Sequence, residues 1–240
     1  MTRLTTCPDA EAVAVRAAAH ITRALERARS QRGVAHIALS GGTTPARTYE
    51  LLAAEPVDWS SVEIWFADER CVGPEDAESN YRLAAETLLG AIAIPAERVH
   101  RMEGELGPEE GASRYALELD EHVAARAHAL PVLDLVVLGI GPDGHVASLF
   151  PGAPTLAAGE DALCLGVRDS PKPPPERITV SLAVLRSAER CMLLATGPGK
   201  ADAVSAMLGE PSSHVPASLL RRERLTVIVD DAASPGPIDS

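Results

Sequence analysis

Residues Asp134 to Gly152 read DLVVLGIGPDGHVASLFPG. The apolar run Leu135 to Leu138 has the length and composition of a fully buried strand, bounded by turn residues. It stops at Gly139-Ile140-Gly141-Pro142-Asp143-Gly144 and then presents His145. Three glycines in six residues permit tight turning and close backbone approach to a ligand. The ring that follows has an unperturbed pKa suited to proton transfer near neutral pH. A backbone cradle and a proton shuttle at the end of a buried strand are placed where open α/β sheets bind ligands.

The flanking chain supports such a sheet. Glu11 to Arg32 has helical spacing, with Asp9 as its N-cap and Gly33 as its stop. A short strand, Ala35 to Leu39, runs into Ser40-Gly41-Gly42-Thr43-Thr44-Pro45, and a helix from Pro45 to about Ala54 follows. Val62 to Ala67 is the next strand, opening into Asp68-Glu69-Arg70 and a long polar loop. Helices are predicted from Ser79 to Leu89, Pro108 to Ala127 and Lys200 to Leu208. Further strands are predicted at 162–167, 177–180, 191–196 and 225–229. Strands alternating with helices imply an α/β, doubly wound, mostly parallel sheet with helices on both faces. Residues 1–231 read as one domain that begins with its first helix, 170–175 as a stiff polyproline-type connector, and 232–240 as a disordered tail.

Composition bounds the partners. The 240 residues carry a net charge of -12, which argues against nucleic acid or an anionic membrane surface. A phosphorylated substrate therefore needs a local basic cluster. Four cysteines show no CxxC or zinc spacing and read as free thiols of a reducing compartment. With no signal peptide and no run near the ~20 apolar residues of a membrane span, the chain reads as soluble and cytoplasmic. Oligomeric state is not legible, and a monomer is the default.

The segment 139–144 also matches G-x-G-x-x-G, the dinucleotide fingerprint. That site needs a long helix opening at the third glycine, whereas Pro151-Gly152 arrives seven residues after Gly144. The dinucleotide reading is set aside. Gly41 to Thr44, between a strand and a helix, supplies backbone N–H groups and hydroxyls for an anion. Asp68 and Arg70 emerge from a strand end, and Arg offers a planar fork to phosphate. Lys200, one of two lysines among 22 basic residues, opens a helix after Gly197-Pro198-Gly199. If the four strands are parallel, these loops share one sheet edge and form a cleft for a phosphorylated polar molecule. The other histidines (20, 36, 100, 122, 128 and 214) read as surface or core residues.

Across nearly its whole length the chain resembles the 6-phosphogluconolactonases of the glucosamine-6-phosphate isomerase/6-phosphogluconolactonase family. The resemblance is carried by LSGGTTP (39–45), WFADERCV (65–72), SNYRLAAETLL (79–89) and GIGPDGHVASLFPG (139–152). PKPPPERITVSL (171–182), TGPGKADAV (196–204) and PASLL (216–220) add to it. It implies the fold type of glucosamine-6-phosphate deaminases and ribose-5-phosphate isomerases, with no cofactor and no metal. It also implies a lactone hydrolase of the pentose phosphate pathway, converting 6-phospho-D-glucono-1,5-lactone to 6-phospho-D-gluconate.

On that resemblance His145 is the general base, the glycine-loop N–H groups are the candidates for oxyanion donors, and Gly141 is a substrate-binding residue. Asp143 has two readings, orienting His145 or contacting sugar hydroxyls, and both stay open. Gly41, Gly42, Thr43, Thr44, Arg70 and Lys200 would hold the phosphate, with Arg177 a further candidate and Asp68 a partner for hydroxyls. Two other classes remain as alternatives: a hexosamine-phosphate isomerase or deaminase with Asp68 as base, and a non-catalytic sugar-phosphate sensor. The deaminases continue toward an acidic catalytic residue where this chain has Ser148-Leu149-Phe150-Pro151. The sensor is disfavoured by the acidic charge and by the absence of a DNA-binding helix pair.

Overall fold

Strands β2 (Ala35–Leu39), β8 (Cys191–Ala195) and β9 (Leu225–Asp230) are buried at every position. Such strands need cover on both faces, and a parallel sheet between helix layers provides it. In the computed structural model, which describes residues 2–124 and 130–235, six parallel strands form that sheet in the order β1-β9-β8-β5-β2-β3. The others are β1 (Arg3–Cys7), β3 (Val62–Phe66) and β5 (Leu135–Gly139). Around it pack α1 (Ala10–Arg32), α2 (Thr43–Leu52), α3 (Asn80–Thr87), α4 (Pro108–His122), α5 (Leu182–Ser187) and α6 (Ala201–Leu208). The α/β expectation holds. Asp9 caps α1 by accepting the Ala12 N–H at 2.8 Å, and Gly33 ends it.

From β2 the chain steps outward to β3, then crosses back to β5 on the other side of β2. Strand order therefore reverses between β2 and β5. The carboxyl ends of strands at such a switch point leave a crevice, because the connections that follow them diverge. The loops after β2 and β5 are the two glycine-rich segments singled out from sequence.

Three expectations are corrected. Asp68–Arg70 is not a loop but a strand, β4, in a second, antiparallel sheet β4-β7-β6 with β7 (Arg177–Val180) and β6 (Cys164–Val167). Ala67 joins the sheets, donating its N–H to Leu39 O and accepting from Val180 N–H. The main sheet begins with a strand, β1, rather than with a helix. The tail departs later than expected. Ala233 is fully buried and donates its N–H to Asp230 Oδ1 at 2.8 Å, since that carboxylate closes the turn after β9. Residues 236–240 of the expected tail, and 125–127 of the expected fourth helix, lie outside the described residues.

One histidine of the core carries a titration. His100 stacks on Trp65 with ring centroids 3.8 Å apart, and its nitrogens lie 2.6 Å from Glu118 and 2.9 Å from Glu63. Burial works against its charge, but the two carboxylates prevail and raise its pKa above the usual value. A pKa higher in the folded than in the unfolded chain adds stability below about 6.5, and that stability is lost as pH rises through the folded value. The urea midpoint is therefore expected to fall between pH 6 and pH 9, and His100→Gln to flatten that part of the slope.

Candidate active site

The turn after β2 is fixed from beneath. Tyr49 of α2, fully buried, donates its hydroxyl to Ser40 O at 2.9 Å and accepts the Ser40 N–H at 3.0 Å. Gly42 then takes φ 112°, a region that side chains disfavour, and turns the chain into α2. Thr44 Oγ1 lies 2.7 Å from Thr196 Oγ1, which ties this turn to the loop after β8.

Strand β4 presents three charged residues with three different fates. Glu69 is buried and accepts the backbone N–H groups of Arg70, Asn80 and Tyr81 at 2.7, 2.7 and 2.8 Å, with the Ser79 hydroxyl at 3.0 Å. Burial raises its pKa against these bonds. Glu69 therefore anchors the start of α3 and is structural. Asp68 is buried at the cleft wall, accepting from Ser148 Oγ at 2.7 Å and from Asn80 Nδ2 at 3.2 Å. Arg70 donates through Nη1 to Glu78 O, while its buried Nε has no hydrogen-bond partner.

The loop after β5 is built around Gly141. A Cβ there would stand 2.0 Å from His145 Nδ1 and 2.3 Å from Asp143 Oδ1, so only glycine lets the ring and carboxylate lie over the backbone. Gly141 N–H donates to His145 O at 2.9 Å, which closes the loop. Asp143 Oδ1 sits 2.5 Å from His145 Nδ1. A carboxylate only accepts, so with a neutral ring the proton resides on Nδ1 and Nε2 is left as the basic nitrogen. Burial pushes the His145 pKa below its usual value, against the pull of Asp143. The Asp143 carboxyl is itself held low, because the His145 bond and charge outweigh burial. No helix follows; a tight turn, Val146 to Leu149, carries Ala147 at φ 48° into the cleft wall. The dinucleotide reading fails here too, for want of a helix N-terminus.

All of these loops meet in one cavity of about 290 Å³ lined by Ser40 to Pro45, Asp68, Arg70, Gly139 to Gly141, His145, Arg177 and Lys200. Every site residue expected from sequence lines it except Asp143, which reaches it through His145. Sequence reasoning missed Asn80, Ala147 and, as a lining residue, Lys172. Both lysines of the chain thus stand at this cleft.

Among the described residues, cations outnumber the single carboxylate lining the cleft, Asp68. Arg70 and Arg177 are partners in the antiparallel β4–β7 register. Arg177 is buried and donates to the carbonyls of Pro174, Lys172 and Pro173 at 3.1 to 3.2 Å, so it also holds the proline-rich segment in place. Burial lowers its pKa against the pull of the Asp68 carboxylate, and Arg70 adds to the lowering. Lys200 Nζ donates to Ile140 O at 2.6 Å, and burial, then Lys172, lowers its pKa. Four cations converge at one cleft of a chain whose net charge is -12. An anion bound there would offset their mutual repulsion.

The model of the glucosamine-6-phosphate isomerases/6-phosphogluconolactonase family matches residues 8–229. The chain belongs to this family. A 6-phosphogluconolactonase of Streptomyces coelicolor is 38% identical over 94% of this chain and 91% of its own. The solved structure of a 6-phosphogluconolactonase from Shewanella baltica superposes with a TM-score of 0.83 at 30% identity, covering 96% of this chain and 98% of that one. A monomeric glucosamine-6-phosphate deaminase shares the family fold, with a TM-score of 0.80 at 22% identity over 97% and 98% of the two chains. Chemically, the cleft of this family member joins a neutral, carboxylate-oriented imidazole to a cationic wall. It is equipped to move a proton beside a bound phosphate ester.

Proposed function

We propose that the protein is a 6-phosphogluconolactonase, hydrolysing 6-phospho-D-glucono-1,5-lactone to 6-phospho-D-gluconate. One observation carries this reading: the His145–Asp143 pair and the cations Arg70, Lys172, Arg177 and Lys200 share one cleft. Its relatives of that name support it. His145 Nε2 takes a proton from water as the water oxygen bonds to the lactone carbonyl carbon. The Gly141 and Gly144 N–H groups are spent inside the loop, on His145 O and Gly141 O, which removes these two from the expected oxyanion donors. The resulting oxyanion is left to other backbone N–H groups of this turn. As the bond to the ring oxygen breaks, the imidazolium returns the proton to that oxygen. Asp143 holds the ring in the tautomer this requires and is a positioning residue.

At the other end of the substrate, Arg70, Arg177, Lys200 and the turn Gly41, Gly42, Thr43 and Thr44 grip the phosphate. Asp68 faces the sugar hydroxyls. The chain acts as one hydrolase domain that runs at least through the buried Ala233, monomeric and cytoplasmic, with no metal or cofactor in these steps and no nucleic acid as partner. No helix among the described residues is long and apolar enough to cross a membrane.

Turnover on a substrate panel tests the reading. The freshly generated lactone is expected to be consumed well above its spontaneous rate, and glucosamine 6-phosphate to be left unchanged. Release of ammonia from glucosamine 6-phosphate with no acceleration of lactone hydrolysis would overturn it and favour Asp68 as base.

A further inference from the structure

We infer that the opposite edge of the main sheet carries a second anion site, formed by Arg3, Arg23, Arg27, Arg32 and Arg190 around His20. Its ligand is a compact molecule bearing two or more phosphate or carboxylate groups. These side chains line a cavity of about 270 Å³. Arg3 opens β1, and Arg190 immediately precedes β8, so the cavity lies at the amino ends of the parallel strands. The candidate active site lies at their carboxyl ends, about 15–20 Å away by strand length.

The cluster is not one solvated helix face. His20, Arg23 and Arg27 follow one another along a single face of α1, whereas Arg3 and Arg190 converge on it from elements remote in sequence. The α1 dipole accounts for Arg32 in the last turn but not for Arg23, Arg3 or Arg190. Arg23 and Arg27, four apart, are a repulsive helical pair. The two carboxylates at the wall are already engaged. Asp134 accepts from Arg32 and from the His36 N–H, and Glu189 is not free. Arg3, Arg23, Arg27 and Arg190 form no ion pair among the described residues.

Five guanidiniums converge here on a chain whose net charge is -12. Burial, then Arg23, Arg3 and Arg190, lowers the His20 pKa, as a locally positive field requires. A bound polyanion would satisfy several guanidinium forks at once. The cavity volume limits the ligand to a small scaffold, and the acidic surface beyond it disfavours an extended polyanion.

Titration calorimetry with inorganic pyrophosphate compares the wild type with the Arg3→Gln/Arg190→Gln double variant. The wild type is expected to bind one equivalent more than the variant, or the second equivalent to weaken by tenfold or more. Lactone turnover in the variant should match the wild type, which shows that its fold and cleft are intact. An Arg177→Ala variant should keep the far-edge equivalent. Equal stoichiometry and affinity in wild type and double variant would overturn the site, whatever the outcome at the cleft.

Discussion

In the His145→Ala variant, kcat for the lactone is expected to fall by roughly 10²–10⁴-fold, the usual contribution of a positioned base. KM should change little. The imidazole forms none of the cationic contacts that would hold the phosphate, so binding survives while proton transfer is lost. The background rate of spontaneous hydrolysis must be subtracted, because it sets the floor of the assay. A kcat near that of the wild type would remove His145 from the mechanism.

The pH profile separates the roles of His145 and Asp143. The base must be neutral, and burial places its pKa below the ordinary 6.5, so kcat/KM should fall as pH drops through a value under 6.5. Asp143 opposes the effect of burial on His145. Asp143→Asn should therefore lower kcat and move the acid limb to still lower pH. A purely structural role for Asp143 predicts a loss of folded protein without movement of the limb.

The parts of this site that are local in sequence were the legible ones. Gly139 to His145 follow the continuous apolar run 135–138 and Ser40 to Thr44 the short run 35–39, apolar but for His36, so their place at strand ends follows from pattern alone. Two strands of the small antiparallel sheet, β6 and β7, were legible, but its third was hidden, because β4 is the charged triplet Asp68-Glu69-Arg70 and such residues ordinarily signal loop. Its burial depends on Glu69 meeting the start of α3, a contact formed only in the folded chain. Strand β1, Arg3-Leu4-Thr5-Thr6-Cys7, lacks an apolar run because it is an edge strand with Leu4 partly exposed. Asn80 sits in the cleft through a long-range bond to Asp68. Lys172 left a usable signal. It is the second of two lysines, and it sits in the segment whose carbonyls Arg177 holds.

Arg70 and Arg177 lead to the second large effect. They face each other across β4 and β7, an arrangement in which like charges destabilise a sheet. A phosphate between them would accept charge-assisted bonds from both, and each such bond is worth about 1.5–3 kcal/mol. Arg70→Ala is therefore expected to raise KM about 10–100-fold with kcat largely preserved. Arg177→Ala should raise KM at least as much and lower kcat as well, since it also releases the carbonyls of Lys172, Pro173 and Pro174 at the cleft wall. Arg177→Lys should not preserve binding, because one ammonium cannot reproduce a planar fork shared among three carbonyls. Without substrate the two sides of Arg70 nearly balance. Its Nε is buried without a partner beside a second cation, while its Nη1 bonds Glu78 O and pairs with the Glu78 carboxylate at 3.9 Å, so Arg70→Gln should change the stability of the free protein little. The Tm increase produced by inorganic phosphate should shrink in the same variant. An unchanged KM in Arg70→Ala, together with an undiminished phosphate-dependent Tm shift in Arg70→Gln, would move the phosphate away from the arginine pair.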